Sequence, residues 1–165
     1  MNDNNTDKTR KPVRLSGYDY SSSGVYFLTI CVKSRDVVLS KVTGEVREDC
    51  LHDNINLELT GYGEIIKNQI DQINEYDDLI LIDRYVIMPD HVHIMIRNEY
   101  QSGEKSIPQC VAFFKRKCNS IIGENIWQRG FYDHIIRDEE DYNNHCFYID
   151  ENPKKFLMGK DDYYR

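Results

Sequence analysis

The chain has 165 residues, 40% of them hydrophobic and 30% charged, a composition that suits one folded unit with its own core and argues against a disordered or membrane-embedded chain. A formal charge of −7 speaks against a protein that coats nucleic acid by bulk attraction, because phosphate binding draws on clustered Lys and Arg. Cys31, Cys50, Cys110, Cys118 and Cys146 form no Cys-x-x-Cys pair, so neither a disulfide framework nor a cysteine zinc site is signalled, and they read as reduced thiols.

Residues 1–15 are rich in Asn, Asp and Lys and predict a flexible leader, with residues 16–165 as a single domain. Lys8, Arg10, Lys11 and Arg14 suit either a disordered tail or a phosphate-contacting arm. Residues 1–11 lack the apolar core of a secretory signal, and no later run approaches the roughly 20 apolar residues of a membrane span, so a cytoplasmic location is expected.

Val25 to Val32 is β-branched and aromatic and reads as a central strand. From Val37 to Asn56 short apolar pieces around Gly44 fit a hairpin or an irregular insert equally well. Ile65, Ile66, Gln69, Ile70 and Ile73 recur at helical spacing, which predicts an amphipathic helix over about Tyr62–Glu75. Leu79–Met88 and His91–Ile96 are apolar stretches broken by Pro89-Asp90, the pattern of two antiparallel strands joined by a turn. A helix follows over Ile107–Ile122, with Pro108 in its first turn and Gly123 past its end, and Phe131–Ile136 is a further strand. The acidic run Asp138 to Asp141 suits a helix amino terminus, and that helix should end near Asn152, before Pro153. This order predicts an α+β fold, an antiparallel sheet with helices packed on it.

Charge is unevenly spread: between Lys105 and Arg137 the basic residues face only Glu124 and Asp133. Lys115, Arg116 and Lys117 are either a solvated helix face or a grip on a phosphate backbone. Trp127, Arg129, Phe131 and Tyr132 combine aromatic faces with a cation, as single-strand binding sites do; alternatively Trp127 and Phe131 plug the core.

Alternation along a strand points His91 and His93 to the same side. Two imidazoles on one face can lean onto one divalent ion and leave positions open for water or phosphate oxygens, or can be hydrogen-bonded structural histidines. In the last helix Tyr142, Cys146 or His145, and Ile149 make an apolar stripe. Tyr148 and Asn152 lie off it, about 40° apart, grouped with Asp141 and Asn144 on a polar face. A phenol has a pKa of about 10 and attacks poorly when protonated, but a nearby divalent ion favours the phenolate. The alternative is a half-buried tyrosine with a helix-ending Asn.

Three ordered blocks, Tyr85 to Ile94, Trp127 to His134, and Tyr148-Ile149 with Asn152-Pro153, together with Gly17 to Tyr20 and Tyr26 to Ile30, resemble the HUH single-tyrosine transposases. Within them the pattern is similar to the REP-associated tyrosine transposase branch, over roughly residues 12–157. The resemblance implies a ferredoxin-like fold, cleavage and strand transfer of single-stranded DNA next to hairpins through a 5′-phosphotyrosine intermediate, and a Mg²⁺ or Mn²⁺ cofactor. Carried over by position, His91 and His93 match the metal-binding histidines, Tyr148 the nucleophile and Asn152 an amide-bearing third ligand, where relatives can have Gln. Lys115, Arg116, Lys117, Trp127 and Arg129 are the candidate DNA contacts. A homodimer is compatible, since in related transposases the tyrosine helix can complete a partner's site. The acidic charge and the stretch from Val42 to Leu59 depart from the pattern. Two rivals stand beside this reading: a hairpin-binding module that no longer cuts, and a metal-dependent nuclease that uses water.

Overall fold

The computed structural model describes residues 15–46 and 54–159. The expected leader, apart from Leu15, lies outside the described residues, and so do its basic members and Cys50. The elements are β1 (Gly24–Cys31), β2 (Ser40–Glu45), β3 (Asn54–Leu59), α1 (Gly61–Asp71), α2 (Ile73–Tyr76), β4 (Ile80–Ile87), β5 (His91–Asn98), α3 (Ile107–Ile122), β6 (Tyr132–Ile135) and α4 (Glu139–Leu157).

Four strands form one antiparallel sheet in the order β4-β5-β1-β6. The succession β1-α1-β4-β5-α3-β6 in that order is the ferredoxin-like arrangement, in which helical crossovers return the chain to the sheet. β1 lies between two partners and under helices on both sides, which is why its sequence is a continuous apolar run rather than an alternating one. Tyr26, Leu28 and Ile30 join Val92, Ile94 and Ile96 in the larger core, against Ile66 and Ile70 of α1 and Val111, Phe114 and Cys118 of α3. Phe27 and Met95 point the other way and pack with Ile149 of α4. The two faces of one sheet therefore carry different jobs, and among the described residues α4 is the helix that covers the second.

Local chemistry explains the helix boundaries. Thr60 caps α1, its hydroxyl accepting from the Gly63 amide at 3.3 Å. Ser106 and Gln109 form a reciprocal capping box at α3, and Gly123 ends that helix in the left-handed region at φ 89°, the conformation glycine adopts most cheaply. Asp138 caps α4 by accepting from the Asp141 amide at 2.8 Å.

The segment from Val37 to Asn56 contributes to a two-stranded antiparallel pair, β2 with β3, and residues 47–53 lie outside the described residues. Gly63 fits the pair to α1 through close backbone approach: a Cβ there would stand 2.1 Å from the Leu39 carbonyl oxygen. Gly63→Ala is expected to cost about 1–3 kcal/mol by overpacking, measurable by urea denaturation; an unchanged midpoint would show that the pair gives way without cost.

The last helix corrects the sequence expectation. It does not stop before Pro153 but runs through it to Leu157. Proline cannot donate to the Ile149 carbonyl one turn back, yet this single loss lies close to the helix end. Beyond it the Met158 amide donates to the Lys154 carbonyl at 3.1 Å, and Lys154 and Lys155 sit where the helix dipole favours cations. The first predicted helix also ends early, at Asp71, with the short α2 following.

Candidate functional site

His91 and His93 lie on β5 beneath α4, both fully buried. Their Nε2 atoms are 3.0 Å apart. Each ring is held from behind. His91 Nδ1 is 2.7 Å from Asp90 Oδ1, and the bond from His91 holds the Asp90 carboxyl below its ordinary range. An ionised carboxylate only accepts, so His91 Nδ1 carries the proton. His93 Nδ1 lies 2.9 Å from the Thr29 hydroxyl, placed there because Thr29 pairs directly with His93 across the β1–β5 ladder. Burial, then the proximity of His91 and His145, push the His93 pKa well below its usual range against a hydrogen bond with the Leu28 backbone, so this imidazole is neutral at pH 7. With His91 protonated on Nδ1, its Nε2 lone pair faces His93 Nε2 across 3.0 Å, a gap that a shared proton bridges as a hydrogen bond and that a cation would occupy in its place. Two nitrogens about 2.1 Å from one ion at right angles would be about 3.0 Å apart. The pair thus has the spacing of adjacent ligands, and the Asp90 and Thr29 contacts are the kind that orient ligating histidines.

α4 brings the other candidates over the same face. Its seat is fixed by Ile149, by the Tyr142 hydroxyl donating to Asp83 at 3.2 Å, and by an Arg84–Asp150 ion pair. The Tyr148 ring stands edge-on to His93, with centroids 5.3 Å apart, and edge-on to Phe27 at 5.9 Å. Asn152, one turn later, is fully buried, and neither its amide oxygen nor its nitrogen has a hydrogen-bond partner among the described residues. A buried amide normally satisfies its polar atoms, so this one points to a ligand. The polar-face expectation is corrected here: Tyr148 and Asn152 face the sheet together with Ile149, and Asn152 is as buried as any core residue. The reason is that the face α4 covers contains histidines and Thr29 as well as apolar groups, so a polar helix side can be the inward one.

The candidate DNA contacts do not share this face. α3, which carries Lys115, Arg116 and Lys117, packs on the opposite side of the sheet through Val111, Phe114 and Cys118. Arg116, Lys117 and Arg129 are exposed. Arg116 and Arg129 border a cleft of about 560 Å³ with Lys33, Asn119 and Asn125. Trp127 is only 3% exposed, its ring 5.7 Å from Phe114, so it fills the core and offers no face for a base to stack on. Lys115 Nζ donates to the Gln128 and Gly130 carbonyls at 2.9 and 2.6 Å, and burial draws its pKa down to about 8. It holds the 128–130 loop. Lys115→Met should therefore destabilise the fold by about 1–3 kcal/mol, because two carbonyls lose their donor. Arg116→Ala should stay within about 0.5 kcal/mol. Equal effects in thermal denaturation would remove this distinction.

Sequence reasoning missed three neighbours. Asp90 was legible as a residue adjacent to His91 but was read only as a turn former. Thr29 is set opposite His93 by register, which no local pattern reveals. Lys155, whose Nζ lies 4.2 Å from the Tyr148 ring centroid, follows Tyr148 by two turns on a helix expected to have ended.

No protein-family model matches this chain. It is 30% identical over 179 aligned residues to an uncharacterised protein of Haemophilus influenzae, covering 94% of this chain and 93% of that one. It is 25% identical over 137 residues to the REP-associated tyrosine transposase of Escherichia coli, covering 82% of this chain and 70% of that one. A solved REP-associated tyrosine transposase bound to a REP hairpin superposes with a TM-score of 0.64 at 24% identity, over 87% of this chain and 73% of the other. With this fold and these relatives, the protein is of the transposase kind. It belongs with the REP-associated tyrosine transposases, to which it is similar over most of its length. Among the described residues no helix is long and apolar enough to cross a membrane.

Proposed function

We propose that the protein cleaves single-stranded DNA beside a hairpin and rejoins it by strand transfer through a 5′-phosphotyrosine intermediate. The observation that carries this reading is the facing Nε2 pair at 3.0 Å under a helix that presents Tyr148. The unsatisfied Asn152 amide completes a donor set that fits a divalent cation. In this reading His91, His93 and Asn152 hold Mg²⁺ or Mn²⁺, which when bound would polarise the phosphodiester and favour the phenolate.

The chain's own residues do the rest. Tyr148 Oη attacks phosphorus, the bond from phosphorus to the 3′ oxygen breaks, and a tyrosine–phosphate bond forms. The phenolic proton is lost as the 3′ oxygen gains one, leaving a free 3′-OH. Attack by a DNA 3′-OH on the phosphotyrosine reverses the step and needs no nucleotide triphosphate, because bond energy is conserved in the adduct. Lys155 over the ring favours the phenolate electrostatically. Phe27 and α4 limit the approach of water. The nearness of Tyr148 to His93 of its own chain supports action within one chain, with a homodimer still compatible. The hairpin in the solved relative motivates a hairpin-bearing strand as the partner, and Arg116, Lys117 and Arg129 are exposed cations available to a backbone.

The test incubates the protein with labelled hairpin-bearing single strands and Mg²⁺ or Mn²⁺, then separates products under denaturing conditions. A covalent protein–DNA adduct that disappears with EDTA is the expected result. Cleavage with no adduct would replace this reading by a water-using nuclease, and binding without cleavage by a hairpin-binding module.

A further inference from the structure

We propose a second cation site, separate from the His91–His93 pair, formed by His134 of β6 with Asp141 and His145 of α4 and suited to a borderline transition ion such as Zn²⁺. The ligating atoms of these three residues all lie within 4.8 Å of one another. His134 Nε2 is 3.0 and 2.9 Å from the two Asp141 carboxylate oxygens, and His145 Nδ1 is 3.1 Å from Asp141 Oδ1. Such nitrogen–oxygen separations suit ligands that share one ion at about 2.0–2.2 Å each.

The site is built by two elements. Asp141 and His145 stand one turn apart on α4, while β6 delivers His134 against them. The two imidazoles stack with centroids 4.5 Å apart and planes at 21°, and both turn an edge to the same carboxylate. Burial works against the charged form of Asp141, but the His134 bond, the Arg137 amide and the neighbouring imidazoles outweigh it and hold the carboxyl below its usual range. It is therefore an anionic ligand at neutral pH. His134, Asp141 and His145 keep side-chain exposures of 35%, 20% and 20%, so an ion can reach them and keep an open position. Two imidazoles and one carboxylate are a ligand set of catalytic zinc sites.

Without an ion the same atoms are joined by hydrogen bonds, and His145 Nδ1 also lies 2.8 Å from the Asp141 carbonyl oxygen. Binding would exchange these protons for metal, which makes affinity measurable rather than assumed. The two sites share no ligand. Phe27 touches both, its ring 5.0 Å from His93 and 4.8 Å from His145. A bound ion would tie the start of α4 to β6 and place positive charge one turn before Tyr148. None of this depends on the strand-transfer reading.

The experiment titrates Zn²⁺ into the full chain carrying His91→Ala and His93→Ala, with heat and histidine imidazole resonances as readouts. One equivalent should still bind, the His134 and His145 resonances should shift, and adding Asp141→Asn or His134→Ala should weaken binding at least ten-fold. If the double substitution unfolds the chain, the otherwise unsubstituted protein serves, and Asp141→Asn should lower the bound Zn²⁺ by one equivalent. Absence of the retained equivalent overturns the proposal. So does binding that is indifferent to both Asp141→Asn and His134→Ala, because the ion then sits elsewhere.

Discussion

Tyr148→Phe is expected to abolish the covalent protein–DNA adduct, lowering its formation by a factor on the order of 10⁴ or more, as loss of a nucleophile does. The substitution keeps the ring and so keeps its edge contacts with His93 at 5.3 Å and Phe27 at 5.9 Å and the Lys155 ammonium at 4.2 Å. Stability should change by no more than about 1 kcal/mol, the net worth of one hydroxyl's hydrogen bonding. That pairing of a large kinetic effect with a small thermodynamic one separates chemistry from packing. Mass spectrometry of the adduct should place the DNA on Tyr148. An adduct that persists in the phenylalanine protein would assign the nucleophile elsewhere, whereas persistent cleavage with no adduct in either protein would favour water.

Asn152→Leu should produce opposite effects on stability and on activity. The wild-type side chain is fully buried with both polar atoms unsatisfied among the described residues, a condition that costs about 1–3 kcal/mol in the metal-free protein. Leucine has a similar volume and no polar atoms. In EDTA the variant should gain about that much stability by chemical denaturation. In Mn²⁺ it should lose most of the stabilisation that a bound ion confers, which is about 2.7 kcal/mol at a hundred-fold excess over the dissociation constant. Cleavage should fall by a factor on the order of 10² or more. A variant that is less stable without metal, yet responds to Mn²⁺ like the wild type, would make the Asn152 amide a structural group. A protein that retains a buried, unmet amide carries a stability cost whose natural explanation is a ligand.

Much of the fold was legible because periodicity is local. β1, β4 and β5 announced themselves by β-branched and apolar runs, and α3 by its spacing, its early Pro108 and the closing Gly123, all of which the structure reproduces within a residue or two. The β2–β3 pair was not legible, since its strands are short, half-exposed and polar on one side, and its pairing is settled by Thr60 and Gly63 meeting Leu39 rather than by pattern. Trp127 was ambiguous for a related reason: an aromatic beside cations looks the same in sequence whether it faces solvent or, as here, Phe114.

The residues taken alone were enough to put His91 and His93 on one side of a strand, because side chains alternate with a period of two, and to set Asn152 one turn beyond Tyr148, because helices repeat every 3.6 residues. Only the tertiary structure decided that these two local facts meet. Register placed Thr29 behind His93, the seat of α4 turned Asn152 inward, and continuation of the helix through Pro153 carried Lys155 over Tyr148. Those outcomes depend on which face of the sheet a helix covers and how far it extends, and such choices are made by contacts between elements distant in sequence.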